Sequence, residues 1–309
     1  MFIRMASGES NTVGGALRAA AARLVAAGHV LSDADELLSR LLGVGRGDLR
    51  RLAAEPMSGV NAAAFEQQLV RREAGEPVQY ITGRAAFRHL DVMVDRRVLI
   101  PRPETELLVE AVLEHLAAHD WSRRAPRVLD LGTGSGCIAL SLAHEHPTVM
   151  LTATDASEPA LELARANAHA LGLHARVGFA HGEWFEAVGA DERYDVVVSN
   201  PPYIAAAEAA ELPADVIEWE PHAALFAEDD GLADLRDIIE DAPRHLLAGG
   251  LLALELAETR ATQVAGWLEG AHDWEAVELR DDLAGRPRLL LARRERGPAI
   301  APAQWVEDR

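Results

Sequence analysis

The sequence contains a single cysteine, Cys137, so the chain cannot form an internal disulfide. Proteins of oxidising compartments commonly depend on several disulfides, and a single cysteine therefore favours a reducing, cytoplasmic location. We interpret Cys137 as a small apolar core residue on a helix rather than as a reactive thiol.

Long apolar runs are also missing. No stretch approaches the roughly 18 apolar residues that cross a membrane, and no signal-peptide pattern opens the chain, so we expect no membrane association. Spacings typical of metal ligands are absent as well. His144 and His146 lie two residues apart near a predicted helix end, where solvated or capping roles are the simpler interpretation, and we predict no metal site.

Lysine is absent, and all 30 basic residues are arginine. Residues 1–103 hold 14 arginines against 11 acidic residues, a net charge of +3, whereas residues 104–309 hold 16 against 38, a net charge of −22. The strongly acidic larger part argues against direct binding to nucleic acid, because phosphates would be repelled. The mildly basic first third is compatible with an acidic or RNA-associated partner, although a solvated arginine surface is the commoner explanation.

The first part of the chain has helical periodicity, and glycine and proline divide it into short helices. It contains no catalytic constellation. We predict a helical domain at residues 1–74 that docks a partner, with residues 1–10 frayed. Its predicted apolar faces consist of Leu17, Ala20, Leu24, Ala34, Leu37, Leu38, Leu41, Phe65 and Leu69.

Residues 75–103 are predicted to be a connector. Residues 75–83 are rich in turn formers, and residues 87–95 alternate like a strand that pairs with residues 98–100 in a β-hairpin. Prolines 101 and 103 then stiffen the chain before a helix that begins at Glu104.

Strand and helix patterns alternate from residue 127, which predicts an α/β domain at residues 104–295 with a doubly wound, mostly parallel sheet. The last two strands are too close for a crossover helix, so they should pair antiparallel. Residues 296–309 are predicted to form a flexible tail. The predicted strands are residues 128–131, 149–154, 176–180, 194–199, 250–256, 274–280 and 288–292.

A glycine-rich loop follows the first of these strands and opens a helix. It consists of Gly132, Thr133, Gly134, Ser135 and Gly136. Glycines allow close approach of a ligand to the backbone, and a helix N-terminus offers N–H donors. Asp155 ends the next strand, where an acidic residue can accept hydrogen bonds from both ribose hydroxyls of a nucleoside. The combination predicts a nucleoside-bearing cofactor.

The fourth strand indicates which cofactor. A nicotinamide enzyme usually needs an acid/base partner, and this strand edge offers no histidine or lysine. A sulfonium methyl donor such as S-adenosylmethionine needs no strong base, which favours methyl transfer. Trp184, after the third strand, is predicted to cover the adenine ring, with Glu183 near its exocyclic amine; a plain core role for Trp184 is the alternative.

The segment after the fourth strand is Asn200-Pro201-Pro202-Tyr203. Two prolines cannot continue a sheet, so the chain must leave it in a stiff turn with Asn200 at the carboxyl edge. The Asn200 side-chain oxygen and the Pro201 carbonyl could each accept one N–H of a planar amine or amide, while Pro202 and Tyr203 sandwich it. A turn without chemistry is the competing interpretation of this tetrapeptide alone.

These motifs resemble those of the bacterial release factor glutamine methyltransferases, also called the PrmC or HemK family. The resemblance extends from about residue 14 to 293, and the two connector motifs before residue 107 are its most specific parts. It is carried by residues 75–83 (GEPVQYITG), 100–106 (IPRPETE), 129–139 (LDLGTGSGCIA), 200–203 (NPPY), 220–225 (EPHAAL) and 230–232 (DGL).

The resemblance implies a Rossmann-like class I methyltransferase fold. It also implies N5-methylation of the glutamine in the Gly-Gly-Gln loop of peptide chain release factors, the proteins of translation termination. S-adenosylmethionine would be converted to S-adenosylhomocysteine. The glycine loop, Asp155, Trp184 and Asn200 would contact the cofactor, and residues 200–203 would hold the glutamine. The N-terminal domain would help to dock the release factor, and we expect a monomer. Glu183 and Trp219 depart from the family, where we expect Asp and Tyr.

Two other activities remain open on the sequence. A sister enzyme that methylates a ribosomal protein glutamine would differ only in its docking surfaces. An enzyme that methylates the amino group of adenine in nucleic acid is less compatible, because the catalytic half is acidic and no basic target-reading domain is present. A silent binding module is disfavoured by the intact cofactor and acceptor motifs.

Overall fold

The computed structural model describes residues 12–295, so the predicted frayed start at residues 1–10 and the predicted tail at residues 296–309 lie outside the described residues. The chain divides into two compact units. Of the described residues, one unit contains 12–85, 94–96 and 212–220, and the other contains 86–93, 97–211 and 221–295. Between residues 12 and 295, no helix is both long enough and apolar enough to cross a membrane.

The helices of the described residues are α1 (Val13–Ala26), α2 (Ser32–Leu42), α3 (Asp48–Arg51), α4 (Gly59–Glu73), α5 (Val78–Thr82), α6 (Pro103–Ala117), α7 (Cys137–Glu145), α8 (Glu158–Ala170), α9 (Ala214–Trp219), α10 (Glu228–Gly231), α11 (Ala233–His245) and α12 (Ala261–Glu269). The strands are β1 (Arg84–Phe87), β2 (Leu90–Met93), β3 (Arg127–Leu131), β4 (Met150–Asp155), β5 (Val177–His181), β6 (Tyr194–Ser199), β7 (Leu246–Glu255), β8 (Trp274–Asp281) and β9 (Pro287–Arg294).

The N-terminal unit is helical because its apolar faces bury one another. The predicted core positions Leu24, Leu37, Leu38 and Phe65 are almost inaccessible to solvent, which confirms the faces inferred from periodicity. Leu17 and Leu41 are partly buried against the same core.

Residues 212–220 belong to this helical unit although they follow the acceptor motif in sequence. The guanidinium of Arg96 lies 3.8 Å from the ring centre of Trp219, a cation–π contact. Arg72, which pairs with Asp33 at 2.7 Å, also lies 3.9 Å from the Asp215 carboxylate. No local pattern of residues predicts this association.

Seven strands of the described residues form the sheet of the second unit, in the order β5-β4-β3-β6-β7-β9-β8. Strands β5, β4, β3, β6 and β7 pair in parallel. The last strand of the described residues, β9, runs antiparallel to both β7 and β8. The predicted seven-stranded, mostly parallel sheet with an antiparallel last strand is therefore confirmed. The strand order reverses between β3 and β6, which is where open α/β sheets bind ligands.

The hairpin of the connector exists, and the predicted strand at residues 87–95 contains β2, but the predicted pairing partner was wrong. β2 pairs with the preceding β1, and residues 98–100 form no strand. The turn falls at Arg88, in a left-handed conformation (φ 50°). Its backbone N–H donates to Glu106 Oε1 at 2.9 Å, and its guanidinium binds Glu145 at 2.6 Å. No glycine or asparagine marks the turn, so local sequence could not reveal it.

Candidate active site

The glycine loop is fixed between the ends of β3 and β4. The Thr133 hydroxyl donates to Asp130 Oδ2 at 2.6 Å, and the Thr133 N–H donates to the Thr154 carbonyl at 2.8 Å. Asp130 lies on β3 with no exposed surface, and burial raises the pKa of its carboxyl to about 7. The loop is thus anchored by buried polar contacts at its second residue.

The three loop glycines have different roles. All have positive φ, which favours glycine. A Cβ on Gly134 would meet no atom within 4 Å, so this position leaves space open beside the backbone. A Cβ on Gly136 would lie 3.0 Å from Leu140 and 3.4 Å from Ala164, so Gly136 lets the start of α7 lie close to both side chains. A Cβ on Gly132 would lie 3.4 Å from the ring of Trp184, so Gly132 leaves room for this ring.

Asp155 ends β4, as the sequence predicted. Its Oδ2 accepts the Gly134 N–H and its Oδ1 accepts the Ser157 N–H, both at 2.8 Å. Each carboxylate oxygen has a second lone-pair site, so both oxygens can still accept from a ligand. Burial raises the pKa of this carboxyl above its ordinary value.

A cavity of about 730 Å³ opens over this edge of the sheet. Of the residues predicted for the site, Asn200 and Pro202 line it together with a set from the cofactor motifs, namely Gly132, Thr133, Gly134, Ser135, Asp155 and Trp184. Gly136, Pro201 and Tyr203 are not part of its wall. One cavity therefore brings most of the predicted cofactor residues next to Asn200, and the individual contacts remain predictions.

The cavity wall is also strongly acidic. Five carboxylates line it, from Asp155, Glu183, Glu228, Asp234 and Asp237. Two arginines, at positions 97 and 102, lie on the same wall. The excess of negative charge favours a ligand that carries positive charge.

Trp184 stands at the beginning of a 3₁₀ turn, Trp184–Ala187, in a left-handed conformation (φ 43°). An aromatic residue adopts this conformation at an energetic cost, and such strain is often found at ligand sites. The preceding Gly182 is required sterically, because a Cβ there would lie 2.8 Å from the Ala187 nitrogen. The turn holds the indole ring over Gly132, in the cavity wall.

Asn200 is held by a hydrogen-bonded chain that sequence reasoning missed. Its Nδ2 donates to Thr105 Oγ1 at 3.1 Å, and the Thr105 hydroxyl donates to Glu255 Oε2 at 2.7 Å. The Tyr203 hydroxyl donates to the other oxygen, Glu255 Oε1, at 3.1 Å. Both ends of the acceptor motif are thereby tied to one carboxylate, which is 1% exposed.

A local signal for Glu255 was present. It is the acidic last residue of an otherwise apolar strand, β7. The register pairs Ser199 with Leu254, so Asn200 and Glu255 are the next residues at the same sheet edge. Thr105 carried no such signal, since it lies in the first turn of a helix 95 residues before Asn200.

The turn at α10 supports the same motif from the other side. Asp229, Asp230 and Gly231 are consecutive left-handed residues, and a Cβ on Gly231 would lie 2.4 Å from the Tyr203 carbonyl oxygen. Arg260 fixes the turn by donating to the Asp230 carbonyl at 2.8 Å. Close contact between glycine and backbone therefore sets the position of Tyr203.

Replacing Gly231 with alanine is expected to lower the free energy of unfolding by about 2 kcal/mol or more, because left-handed strain and a backbone clash add. Urea denaturation measures this loss. The matched control is Gly266→Ala within α12, where a Cβ meets no atom within 4 Å, and a gain of up to about 1 kcal/mol is expected. Equal stability of Gly231→Ala and wild type would contradict this role of the turn.

Comparison with known proteins agrees with the geometry. Residues 104–220 match the methyltransferase small domain and residues 15–83 match the PrmC N-terminal domain. The release factor glutamine methyltransferase of Cereibacter sphaeroides is 44% identical over 280 residues, covering 90% of this chain and 97% of that protein. The chain belongs to the release factor glutamine methyltransferase family. The enzyme of that name from Bordetella pertussis is also 44% identical, over 83% of this chain and 92% of the relative.

Solved structures show the same fold outside this family. The catalytic domain of hMettl16, solved in complex with the MAT2A 3′UTR hairpin 6, aligns with a TM-score of 0.52 over 79% of this chain and 84% of that chain. At 16% identity, the likeness concerns the fold alone. This chain thus shares its fold with a catalytic domain outside the release factor glutamine methyltransferase family.

Proposed function

We propose that this protein transfers a methyl group from S-adenosylmethionine to the side-chain amide nitrogen of the glutamine in the Gly-Gly-Gln loop of peptide chain release factors. The observation that carries the proposal is Asn200, fixed through Thr105 in the wall of the cavity that the glycine loop and Asp155 also line. Membership of the release factor glutamine methyltransferase family supports this choice of substrate.

The residues of the cavity fit the cofactor. The open space beside Gly134 suits close approach of a ligand, and Asp155 has acceptor capacity for two ribose hydroxyls. Trp184 offers a ring face for the adenine, and the acidic wall suits a cation. When bound, S-adenosylmethionine supplies an electrophilic methyl group on a positively charged sulfonium and leaves as S-adenosylhomocysteine.

The acceptor motif addresses the weak nucleophilicity of an amide. An amide nitrogen shares its lone pair with the carbonyl group, so it must be oriented and its developing positive charge must be stabilised. Asn200 Oδ1 and the Pro201 carbonyl would each accept one N–H of the substrate amide. Such alignment lowers a barrier by several kcal/mol. The nitrogen then releases one of its two protons to solvent, so the product amide is neutral.

The proposal also covers the roles of the domains, the oligomeric state and the cellular location. The helical unit, predicted as residues 1–74, would dock the release factor; residues 75–103 would connect it to a methyltransferase domain at residues 104–295. We propose a monomeric enzyme of the cytoplasm, acting on a protein with no direct nucleic-acid substrate. The −22 net charge of residues 104–309 supports the last point.

Methyl transfer from labelled S-adenosylmethionine tests this function. The purified protein is incubated separately with release factor, with the same factor after replacement of its Gly-Gly-Gln glutamine, with ribosomal proteins and with total RNA. Label is expected on the intact release factor alone. Label on RNA or on a ribosomal protein, or label that survives the glutamine replacement, would overturn the proposal.

A further inference from the structure

We propose that Glu255 is a positioning residue that sets which end of the Asn200 amide faces the substrate, acting through the Thr105 hydroxyl. This inference rests on the proposed function, because it explains how an acceptor atom is presented to an amide substrate. It assigns a role to a buried carboxylate that has no contact with the reacting atoms.

Glu255, Thr105, Tyr203 and Asn200 are linked by hydrogen bonds, and the first two are buried. Glu255 is 1% exposed and Thr105 is 2% exposed. Glu255 Oε2 accepts a hydrogen bond from the Thr105 hydroxyl at 2.7 Å, and Glu255 Oε1 accepts one from the Tyr203 hydroxyl at 3.1 Å. Asn200 joins only through Thr105, at 3.1 Å.

The number of hydrogens on each group decides which atom donates in each of these hydrogen bonds. An ionised carboxylate only accepts, so both hydroxyls must donate to Glu255. A hydroxyl has one hydrogen, so the Thr105 oxygen can only accept from its other neighbour. That neighbour must then be the Nδ2 amino group of Asn200. Its Oδ1, the atom that can accept a substrate N–H, is left for the cavity side.

Protonation of Glu255 would remove this direction. A carboxylic acid carries a hydrogen, so it could donate to Thr105, and Thr105 could then donate to Asn200 Oδ1. The amide would be free to turn its amino group toward the substrate, where two donors would face each other. Activity should therefore fall at acid pH as Glu255 gains a proton.

The surroundings of Glu255 support a titration above the usual glutamate range. Burial, the largest effect, raises the pKa of Glu255, and Glu104 on α6 adds to this. Arg288 on β9 opposes it, as do the hydrogen bonds from Thr105 and Tyr203. Cys137 on α7 also interacts with Glu255, but burial raises the pKa of that thiol to about 12, so it stays neutral.

Glu255→Gln provides the test, because glutamine keeps the shape but can donate as well as accept. With release factor as substrate, kcat is expected to fall about 10- to 100-fold, the range for a misdirected buried hydrogen bond. The Kd for S-adenosylmethionine should stay within about twofold. In the wild type, kcat should fall at acid pH as Glu255 gains a proton, and this fall should be absent from Glu255→Gln. Glu269→Gln, which removes an exposed carboxylate at the end of α12, controls for charge.

A pair of Thr105 variants decides the matter if Glu255→Gln does not fold. Thr105→Val is expected to lose kcat to a similar extent, and Thr105→Ser is expected to recover most of that loss because it restores the hydroxyl. Wild-type kcat and an unchanged pH profile in Glu255→Gln, or equal kcat in the two Thr105 variants, would overturn the inference. An inactive wild type would instead contradict the proposed function.

Discussion

The Asn200→Ala variant is expected to lose methyl transfer to release factor by about 10³-fold in kcat. The substitution removes the side-chain acceptor that would orient the substrate nitrogen and stabilise its developing charge. Loss of one such preorganised polar group in other enzymes costs on the order of 10²–10³-fold. The Kd for S-adenosylmethionine should change by less than about tenfold, because one neutral hydrogen bond contributes roughly 1 kcal/mol.

Single-turnover kinetics and calorimetric titration separate the two effects. The control is Gln263→Ala, which removes an exposed side-chain amide on α12, outside the proposed docking unit. Near-normal turnover of Asn200→Ala, with normal cofactor binding, would refute the proposed role of the acceptor motif.

The Asp155→Ala variant is expected to weaken binding of S-adenosylmethionine by at least about 100-fold. Two ribose hydroxyls would lose a charged acceptor, and hydrogen bonds to charged groups contribute about 1.5–3 kcal/mol each. The backbone N–H groups of Gly134 and Ser157 would also lose their partner. Calorimetric titration measures the Kd directly.

A second variant separates these two causes. Asp155→Asn keeps one acceptor oxygen, so its Kd should lie between those of the alanine variant and wild type. Asp273→Ala, which removes an exposed carboxylate before β8, should bind normally. A Kd within threefold of wild type for Asp155→Ala would show that this carboxylate does not hold the ribose.

The parts of the site that follow strands could be predicted from sequence. Both β3 with its glycine loop and β6 with Asn200 combine a short apolar run with a local break, and parallel strands bring their carboxyl ends to one edge. Asp155 was predicted for the same reason. These inferences needed no information about distant contacts.

The contacts that orient Asn200 could not be predicted in this way. Thr105 and Glu255 are 150 residues apart in sequence, and they meet only because α6 packs against the sheet beside β7. The proximity of Gly136 to Ala164 on α8 likewise depends on tertiary structure. Sequence pattern thus identified the residues at the strand ends, whereas their hydrogen-bond directions required coordinates.

The hairpin and the helical unit also contain features that the local sequence could not predict. Arg88 forms its turn because Glu106 and Glu145 bind it, and neither residue is near it in sequence. The association of Trp219 with Arg96 similarly joins segments that local periodicity treats as unrelated. In each case the structure depends on a contact between residues that are distant in sequence, so the local sequence does not predict it.

Mass spectrometry of the release factor after reaction with the purified protein tests the central claim most directly. We predict a mass gain of one methyl group on the glutamine of the Gly-Gly-Gln peptide, with fragment ions that place it on the side-chain nitrogen. Asn200→Ala should abolish the gain under the same conditions. A methyl group on any other residue of the factor, or an unmodified peptide after complete reaction with active wild-type protein, would contradict the account.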